Sequence, residues 1–172
     1  MEEPLHFNSI LEESTNRLWG CHFVVPMGVV ASLFGMDESK RVVCVLNEKE
    51  AYQCALLPQG DGLFVITVNK KIQTKLGLKI GTKITANLRK DESEYGLPMP
   101  EELAVLLEQD EEGNKLFHTL TPGKRRTLLY IVGQPKKSDL RLHRALAVVD
   151  HLKRNNGKID YKQLNISVRE SS

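Results

Sequence analysis

The first half of the chain carries apolar residues in short runs and in alternation with polar residues. The segment Arg41 to Leu46 is a nearly continuous β-branched run, and in Lys83 to Arg89 the apolar Ile84, Ala86 and Leu88 alternate with polar residues. An alternation with period two places one side of a strand in the core and the other in water. The pattern therefore predicts a sheet with one solvated face.

Other strands and two short helices are predicted around these segments. Strands are expected at His6 to Ile10, Trp19 to Val25, Ala51 to Leu57 and Leu63 to Val68, and helices at Met27 to Phe34 and Lys70 to Leu76. The segment Asn47 to Glu50 would close a hairpin between two strands. Pro58 to Gly62 is a dense turn signal, because proline fixes φ and glycine adopts conformations closed to other residues.

The residue pattern becomes helical after Gly96 to Pro100, where prolines exclude a central strand. A first helix is expected from Pro100, with a stripe of Leu103, Leu106 and Leu107, and the polar segment Asp110 to Asn114 is expected to break it. A second helix should begin with Thr121 as N-cap and Pro122 as first residue, and should bury Leu128, Leu129 and Val132 before ending near Gly133.

The last predicted helix has the clearest periodicity in the chain. Ser138 is its expected N-cap, Gly157 its expected end, and its apolar stripe comprises Leu142, Ala145, Leu146, Val149 and Leu152. The remaining residues to Ser172 are expected to form a loose polar tail.

Composition adds few constraints. Hydrophobic residues make up 41% and charged residues 27%, and no apolar run approaches the roughly 20 residues of a membrane span. The acidic start, Met1 to Pro4, leads into no apolar segment, so we expect a cytoplasmic protein. Cys21, Cys44 and Cys54 are an odd number without ligand spacing, and buried free thiols are expected rather than a disulfide between Cys44 and Cys54.

The net charge of +2 conceals an asymmetry between the two parts of the chain. Residues 121–172 hold 12 Lys/Arg against 4 Asp/Glu, whereas residues 1–120 hold 12 against 18. A basic surface is predicted from five cations of the last two predicted helices: Lys124, Arg125, Arg126, Arg141 and Arg144. The surface would meet an acidic protein or an anionic ligand, or the cations would pair internally with Glu101, Glu102, Glu108 or Asp110.

No local signature of catalysis is present. The sequence lacks a nucleophile elbow, a phosphate-binding lysine loop and a paired histidine motif, and its five histidines are scattered. We therefore expect no catalytic residue, no metal site and no cofactor, although an enzymatic role stays open. A weaker alternative is a small-molecule pocket near Trp19, His22 and Tyr52.

Two stretches resemble known families. The first resembles a small bacterial double-split β-barrel domain of unknown function, in Asn47 to Asp91 with Leu57-Pro58-Gln59-Gly60-Asp61-Gly62, Lys70-Lys71-Ile72 and Leu76 to Gly81, and in Pro26 to Leu33. The second resembles the helical module called YdeI or OmpD-associated, often labelled bacteriocin protection, in Leu120 to Arg126 with Ile131, Arg141, Arg144 and Gly157-Lys158.

The resemblance implies an α+β fold in which a small double-split β-barrel with short helices precedes a C-terminal helical module. The expected organisation is a barrel domain at residues 1–97, a helical module at 98–158 and a polar tail at 159–172. The function it favours is a non-enzymatic binding or stress-protection protein. Because the barrel shares its topology with swapped-hairpin AbrB-type transcription factors, nucleic-acid binding is the alternative.

Overall fold

The computed structural model describes residues 3–14, 20–35 and 40–170. The chain divides into two compact units, Met1–Glu92 and Ser93–Ser172. The first contains all the described strands, and the second contains helices alone. The predicted α+β class is confirmed.

The N-terminal unit consists of two antiparallel four-stranded sheets. The strands are β1 (Leu5–Ile10), β2 (Glu12–Glu13), β3 (Cys21–Val25), β4 (Arg41–Leu46), β5 (Glu50–Ala55), β6 (Leu57–Pro58), β7 (Phe64–Val68) and β8 (Lys83–Lys90). The first sheet has the order β1-β8-β4-β5 and the second the order β2-β3-β7-β6. The predicted double-split β-barrel needs one correction: the described strands form two open sheets that are not closed into a barrel. Two of the edge strands, β2 and β6, contain only two residues each and cannot continue a ladder.

The first sheet has the predicted two-sided character. Val42, Cys44 and Leu46 of β4 are fully buried, as are Ala86 and Leu88 of β8. The alternate residues of both strands are at least partly exposed. Two short helices complete this unit, α1 (Met27–Leu33) and α2 (Lys70–Leu76), both near their predicted positions.

The hairpin between β4 and β5 turns through two residues with left-handed backbone conformation. Asn47 and Glu48 have φ of +51° and +58°, and the N–H of Lys49 donates to the carbonyl of Leu46 over 3.1 Å. Positive φ at both central residues is the requirement of a type I′ turn, in which glycine usually follows asparagine. Glu48 therefore occupies a position that disfavours its side chain.

The C-terminal unit contains five helices where three were predicted. They are α3 (Glu101–Gln109), α4 (Glu111–Thr119), α5 (Pro122–Gly133), α6 (Ser138–Arg154) and α7 (Tyr161–Glu170). The first helix ends at Asp110 as expected, but the polar residues that follow begin a new helix, α4, which was not predicted. Asp110 Oδ1 accepts the N–H of Gly113 over 2.9 Å, so Asp110 is the N-cap of α4 rather than the start of a loop.

The buried face of α6 differs from the predicted stripe. Ala145, Val149 and Leu152 are buried as expected, but Leu142 and Leu146 are 39% and 47% exposed. The neighbouring helices α3, α4, α5 and α7 instead cover a face that also includes Val148 and His151. Ser138 does not cap this helix, since Lys137 is the N-cap residue and the hydroxyl of Ser138 donates to Glu102.

The expectation of a loose tail after residue 158 is wrong. Asp160 Oδ1 accepts the N–H of Gln163 over 3.1 Å and begins α7. Leu164 and Val168, one helical turn apart, are buried in the core of the helical unit. The aliphatic residues Leu164, Ile166 and Val168 alternate with polar residues at a period of two, which does not indicate a helix, so the sequence pattern did not predict this packing.

His151 links α6 to the start of α7 and should make this contact sensitive to acid. Its Nε2 accepts the backbone N–H of Asp160 over 3.1 Å, and burial lowers the pKa of the imidazole below 6.5, against the opposing effect of Asp160 and Asp150. The contribution is complete above pH 6.5 and decreases as the pH falls toward the folded pKa, because the unfolded chain takes up the proton first. Hydrogen exchange of α7 amides should accelerate between pH 7 and pH 5 relative to α3 amides. His151→Gln, which does not titrate, should reduce that pH dependence, and an unchanged dependence would contradict the assignment.

Candidate functional site

The N-terminal end of α5 carries cations at its third, fourth and fifth residues, and its first turn contains no acidic residue. Thr121 is the N-cap, with its Oγ1 3.4 Å from the N–H of Lys124, and Pro122 is the first helical residue. Both capping predictions are confirmed. The cations Lys124, Arg125 and Arg126 therefore lie at the positive end of the helix dipole, which disfavours each by a few tenths of a kcal/mol.

Arg125 lies over an aromatic ring that belongs to a hydrogen-bonded network. Its guanidinium carbon is 6.0 Å from the ring centroid of Tyr95. The Tyr95 hydroxyl is 2.8 Å from Nε2 of His118, and Nδ1 of His118 is 2.8 Å from the carbonyl of Asn114. Because the carbonyl only accepts, Nδ1 of His118 carries the proton and Nε2 accepts from Tyr95. Arg125 is thus placed by a ring whose own orientation is fixed.

The residues around the Tyr95 hydroxyl have opposing effects on its pKa. Burial and the neighbouring Glu94 carboxylate raise the pKa of Tyr95, and Arg125 opposes that rise. Phe117 lies behind His118 in an edge-on contact with a centroid separation of 5.2 Å. Nε of Arg125 is buried without a hydrogen-bond partner. The tyrosine is therefore a neutral support for the guanidinium at physiological pH.

Lys124 and Arg126 have no ion pair within residues 3–14, 20–35 and 40–170. Lys124 is exposed and Arg126 is half-buried. The guanidinium of Arg126 folds back toward the start of α5, where its Nη2 would lie 3.9 Å from a Cβ placed on Gly123. We name Lys124, Arg125 and Arg126 the basic turn.

Arg141 and Arg144, the other two predicted members of the basic surface, bind groups of their own unit. Arg141 Nη2 is 3.0 Å from Glu102 Oε1, and its Nη1 donates to the carbonyls of Pro135 and Lys136 over 3.1 and 2.7 Å. Arg144 Nη1 donates to the Ile131 carbonyl over 2.9 Å. The structure thus gives these two guanidinium groups internal partners and leaves the basic turn as the part of the predicted surface without an acidic partner.

Asp110, another of the acidic residues considered as internal partners, also forms an ion pair within the helical unit. Asp110 Oδ2 is 2.9 Å from Nζ of Lys153, and this contact joins the start of α4 to α6. The hydrogen bond from Gly113 and that from Lys153 lower the pKa of Asp110. The carboxylates of Glu102 and Asp110 therefore stabilise the helical unit and do not neutralise the basic turn.

The predicted pocket near Trp19, His22 and Tyr52 falls in the N-terminal unit. Trp19 lies outside the described residues. His22 is buried, with Nε2 3.6 Å from Glu12 Oε2 and Nδ1 without a hydrogen-bond partner. The Tyr52 hydroxyl donates to the carbonyl of Thr67 over 3.3 Å, and Thr67 is the cross-strand partner of His22. The two described members therefore lie near each other, and the Tyr52 hydroxyl already has a protein partner.

The cysteines are free thiols, as expected. Burial raises the pKa of Cys44 to about 12, and a hydrogen bond with Tyr52 opposes that rise. Burial also raises the pKa of Cys54. Since the thiolate is the reactive form, neither residue is a nucleophile at neutral pH.

Sequence reasoning missed two features of the structure. Tyr95 and His118 are 23 residues apart and carry no shared motif, so only the packing of the segment before α3 against α4 and α5 could bring them together. The second feature is a groove on the outer face of the first sheet, lined in part by Val43 and Arg89. It depends on which strands pair and on which residues lie opposite each other, and the alternation of apolar and polar residues does not identify those partners.

The comparisons with known proteins agree with the two-unit organisation. Residues 7–88 match the family model described as domain of unknown function (DUF1905), and residues 97–155 match the model described as bacteriocin-protection, YdeI or OmpD-associated. No curated protein matches the sequence. None of the helices in the described part of the chain has both the length and the apolar character needed to cross a membrane. The resemblance predicted from the sequence is confirmed, and the chain carries a DUF1905 domain followed by a YdeI or OmpD-associated domain.

Proposed function

We propose that this chain is a non-enzymatic cytoplasmic binding or stress-protection protein that recognises an acidic segment of a partner protein through the basic turn. The observation that carries the proposal is the set of three consecutive cations near the start of α5, where no carboxylate of the described residues pairs with them. A reducing compartment also suits the three free thiols.

The electrostatics of α5 favour an external anion. Three of the other four described helices of the unit have acidic residues in their first turns: Glu101 and Glu102 in α3, Glu111 and Glu112 in α4, and Asp139 in α6. Helix α7, like α5, has none. In α5 the positive helix end and three cations add together, so a bound carboxylate would relieve repulsion as well as form charge-assisted hydrogen bonds. Arg125 presents its guanidinium with little freedom because Tyr95 and His118 hold the ring beneath it.

An acidic protein segment fits this surface better than a nucleic acid does. Binding to duplex DNA requires cations that reach several phosphates, and Arg141 and Arg144 are held by Glu102 and by backbone carbonyls. Three cations in one helical turn match a short run of carboxylates. The binding experiment described next also tests the nucleic-acid alternative.

The test is a titration of the full chain with a fluorescein-labelled, glutamate-rich peptide. We expect Lys124→Glu with Arg126→Glu to weaken binding by about tenfold or more, which corresponds to about 1.4 kcal/mol. The same variant should unfold at an equal or higher temperature, because acidic residues suit the first turn of a helix. Loss of binding without loss of stability separates recognition from folding.

A matched control is Lys158→Glu with Lys162→Glu, which changes the net charge equally in the same unit. Both lysines are exposed, and Lys162 also lies in the first turn of a helix. Equal weakening by the control would show attraction to overall charge and would refute the proposal. The surface would be assigned to nucleic acid instead if a DNA duplex bound more tightly than the peptide and its affinity fell with salt as steeply as the release of more than three counterions requires.

A further inference from the structure

The outer face of the first sheet carries an open groove of about 400 Å³. Pro4, Val43, Val45, Glu48, Asn87 and Arg89 line it. The antiparallel register places Val43 beside Arg89 and Val45 beside Asn87. Its floor therefore consists of two valines from β4, and its polar groups come from β8 and from the hairpin turn. A volume of this size is within the range of small-molecule sites.

Asn87 is oriented by a neighbour and retains a donor for a ligand. His6, its cross-strand partner on β1, places Nδ1 2.8 Å from Asn87 Oδ1. In this arrangement His6 donates and the amide oxygen accepts. The amide NH₂ group of Asn87 then remains to donate to a carbonyl or carboxylate oxygen in the groove.

The groove has a cation and an anion at different positions along the strands. Arg89 and Glu48 are exposed, and neither has an ion pair or a side-chain hydrogen bond within the part of the chain that the structure describes. Arg89 lies opposite Val43, three residues before the end of β4, and Glu48 lies two residues beyond that end, so their backbones are separated by more than about 10 Å at the usual rise of a strand. The two charges thus serve a ligand whose own charges are separated rather than adjacent.

The backbone at Glu48 gives independent support for a ligand. Glu48 has φ of +58° at the turn position where glycine is usual. A side chain held in this conformation costs stability and persists where it has another role. Here the strained residue supplies the carboxylate at one end of the groove.

We propose that this groove binds a zwitterion of dipeptide size. Its carboxylate would pair with the guanidinium of Arg89, its ammonium group with the carboxylate of Glu48, and its apolar body would lie on Val43 and Val45. Arg89 offers the bidentate geometry that a carboxylate prefers, and Asn87 donates to the oxygen between the two ends. An α-amino acid is too short to reach both charges. This site is independent of the basic turn, since it lies in the other unit.

The test uses glycyl-valine as the probe and the full chain labelled with ¹⁵N. We expect saturable shifts of the amide signals of Val43, Val45 and Arg89. N-acetyl-glycyl-valine lacks the ammonium group and glycyl-valinamide lacks the carboxylate. Each should bind with an affinity at least about tenfold lower than that of glycyl-valine. The losses identify the two charged contacts separately.

Three variants complete the experiment. Glu48→Gly should raise the unfolding temperature, because it relieves the left-handed backbone, and should nevertheless weaken glycyl-valine binding about tenfold. Arg89→Gln should weaken binding to a similar extent. Lys83→Gln changes an exposed cation of the same strand outside the groove and should bind as the wild type does. Absence of saturable shifts in the wild type, or wild-type affinity in both Glu48→Gly and Arg89→Gln, would overturn the proposal.

Discussion

Replacing Arg141 by alanine should lower the free energy of unfolding of the helical unit by about 2–4 kcal/mol, because it leaves the Glu102 carboxylate without its cation. The side chain of Glu102 is 12% exposed and that of Arg141 is 27% exposed, so water replaces the lost contacts only in part. The same guanidinium holds the carbonyls of Pro135 and Lys136, which lie in the link between α5 and α6. One substitution therefore loosens the junction of three helices.

The loss can be measured by urea unfolding of the full chain, followed by circular dichroism at 222 nm, where helices dominate. Lys137→Ala removes a neighbouring exposed cation and should change stability by less than about 0.5 kcal/mol. Arg141→Ala should cost less in a Glu102→Gln background, since no unpaired charge then remains. Equal costs in the two backgrounds would show that the pair contributes nothing specific.

The same pair should produce an acid-dependent part of the stability. A hydrogen bond from its own backbone N–H, followed by those from Ser138 and Arg141, holds the pKa of Glu102 below its ordinary value of 4.5. The pair therefore contributes fully above that value and is lost as the pH falls through the pKa of the folded state. The difference between wild type and Arg141→Ala should narrow over this range.

The strands could be predicted from the sequence with good accuracy, and the reason is visible in β4 and β8. Their buried residues alternate strictly, and a strand that slips by one residue would expose Val42, Cys44 and Leu46 to water. The sheet closure could not be predicted in the same way. It depends on how far the edge strands extend, and the pattern of Glu12–Glu13 or Leu57–Pro58 carries no information about length.

The helices were predicted less well because the helical unit buries narrow stripes. In α4 only Phe117 among the large side chains is buried, and Gly113 is buried because Val149 leaves no room for a larger residue there. A Cβ on Gly113 would lie 2.8 Å from Cγ1 of Val149. The sequence of α4 is therefore mostly polar, although Phe117 and Gly113 are both buried in the core of the unit.

The candidate sites show the same division between local and non-local information. Thr121, Pro122 and the basic turn follow each other in sequence, so their placement at a helix start could be predicted. The partners of Arg141 and Arg144 could not be predicted, because these side chains bind carbonyls of the α5–α6 link and of the last turn of α5. Unsatisfied carbonyls at a helix end attract guanidinium groups regardless of any external partner.

Leu164→Ala should destabilise the helical unit by about 2–5 kcal/mol, the cost of a leucine removed from a well-packed core. Leu164 is fully buried, and it packs with α6 residues in the core that also contains Leu152 and Phe117. A substitution in a loose terminal segment would change stability by less than about 0.5 kcal/mol. The experiment therefore distinguishes a docked α7 from a disordered end by a wide margin.

Ile166→Ala is the matched control, because Ile166 lies on the same helix and is 51% exposed. It should leave the unfolding midpoint nearly unchanged, while Leu164→Ala lowers it and also accelerates hydrogen exchange in α6 near Leu152. Equal small effects of both substitutions would mean that α7 does not contribute to the core. The exposed start of α7, where Asp160 caps the helix and binds His151, would then lose its structural role as well.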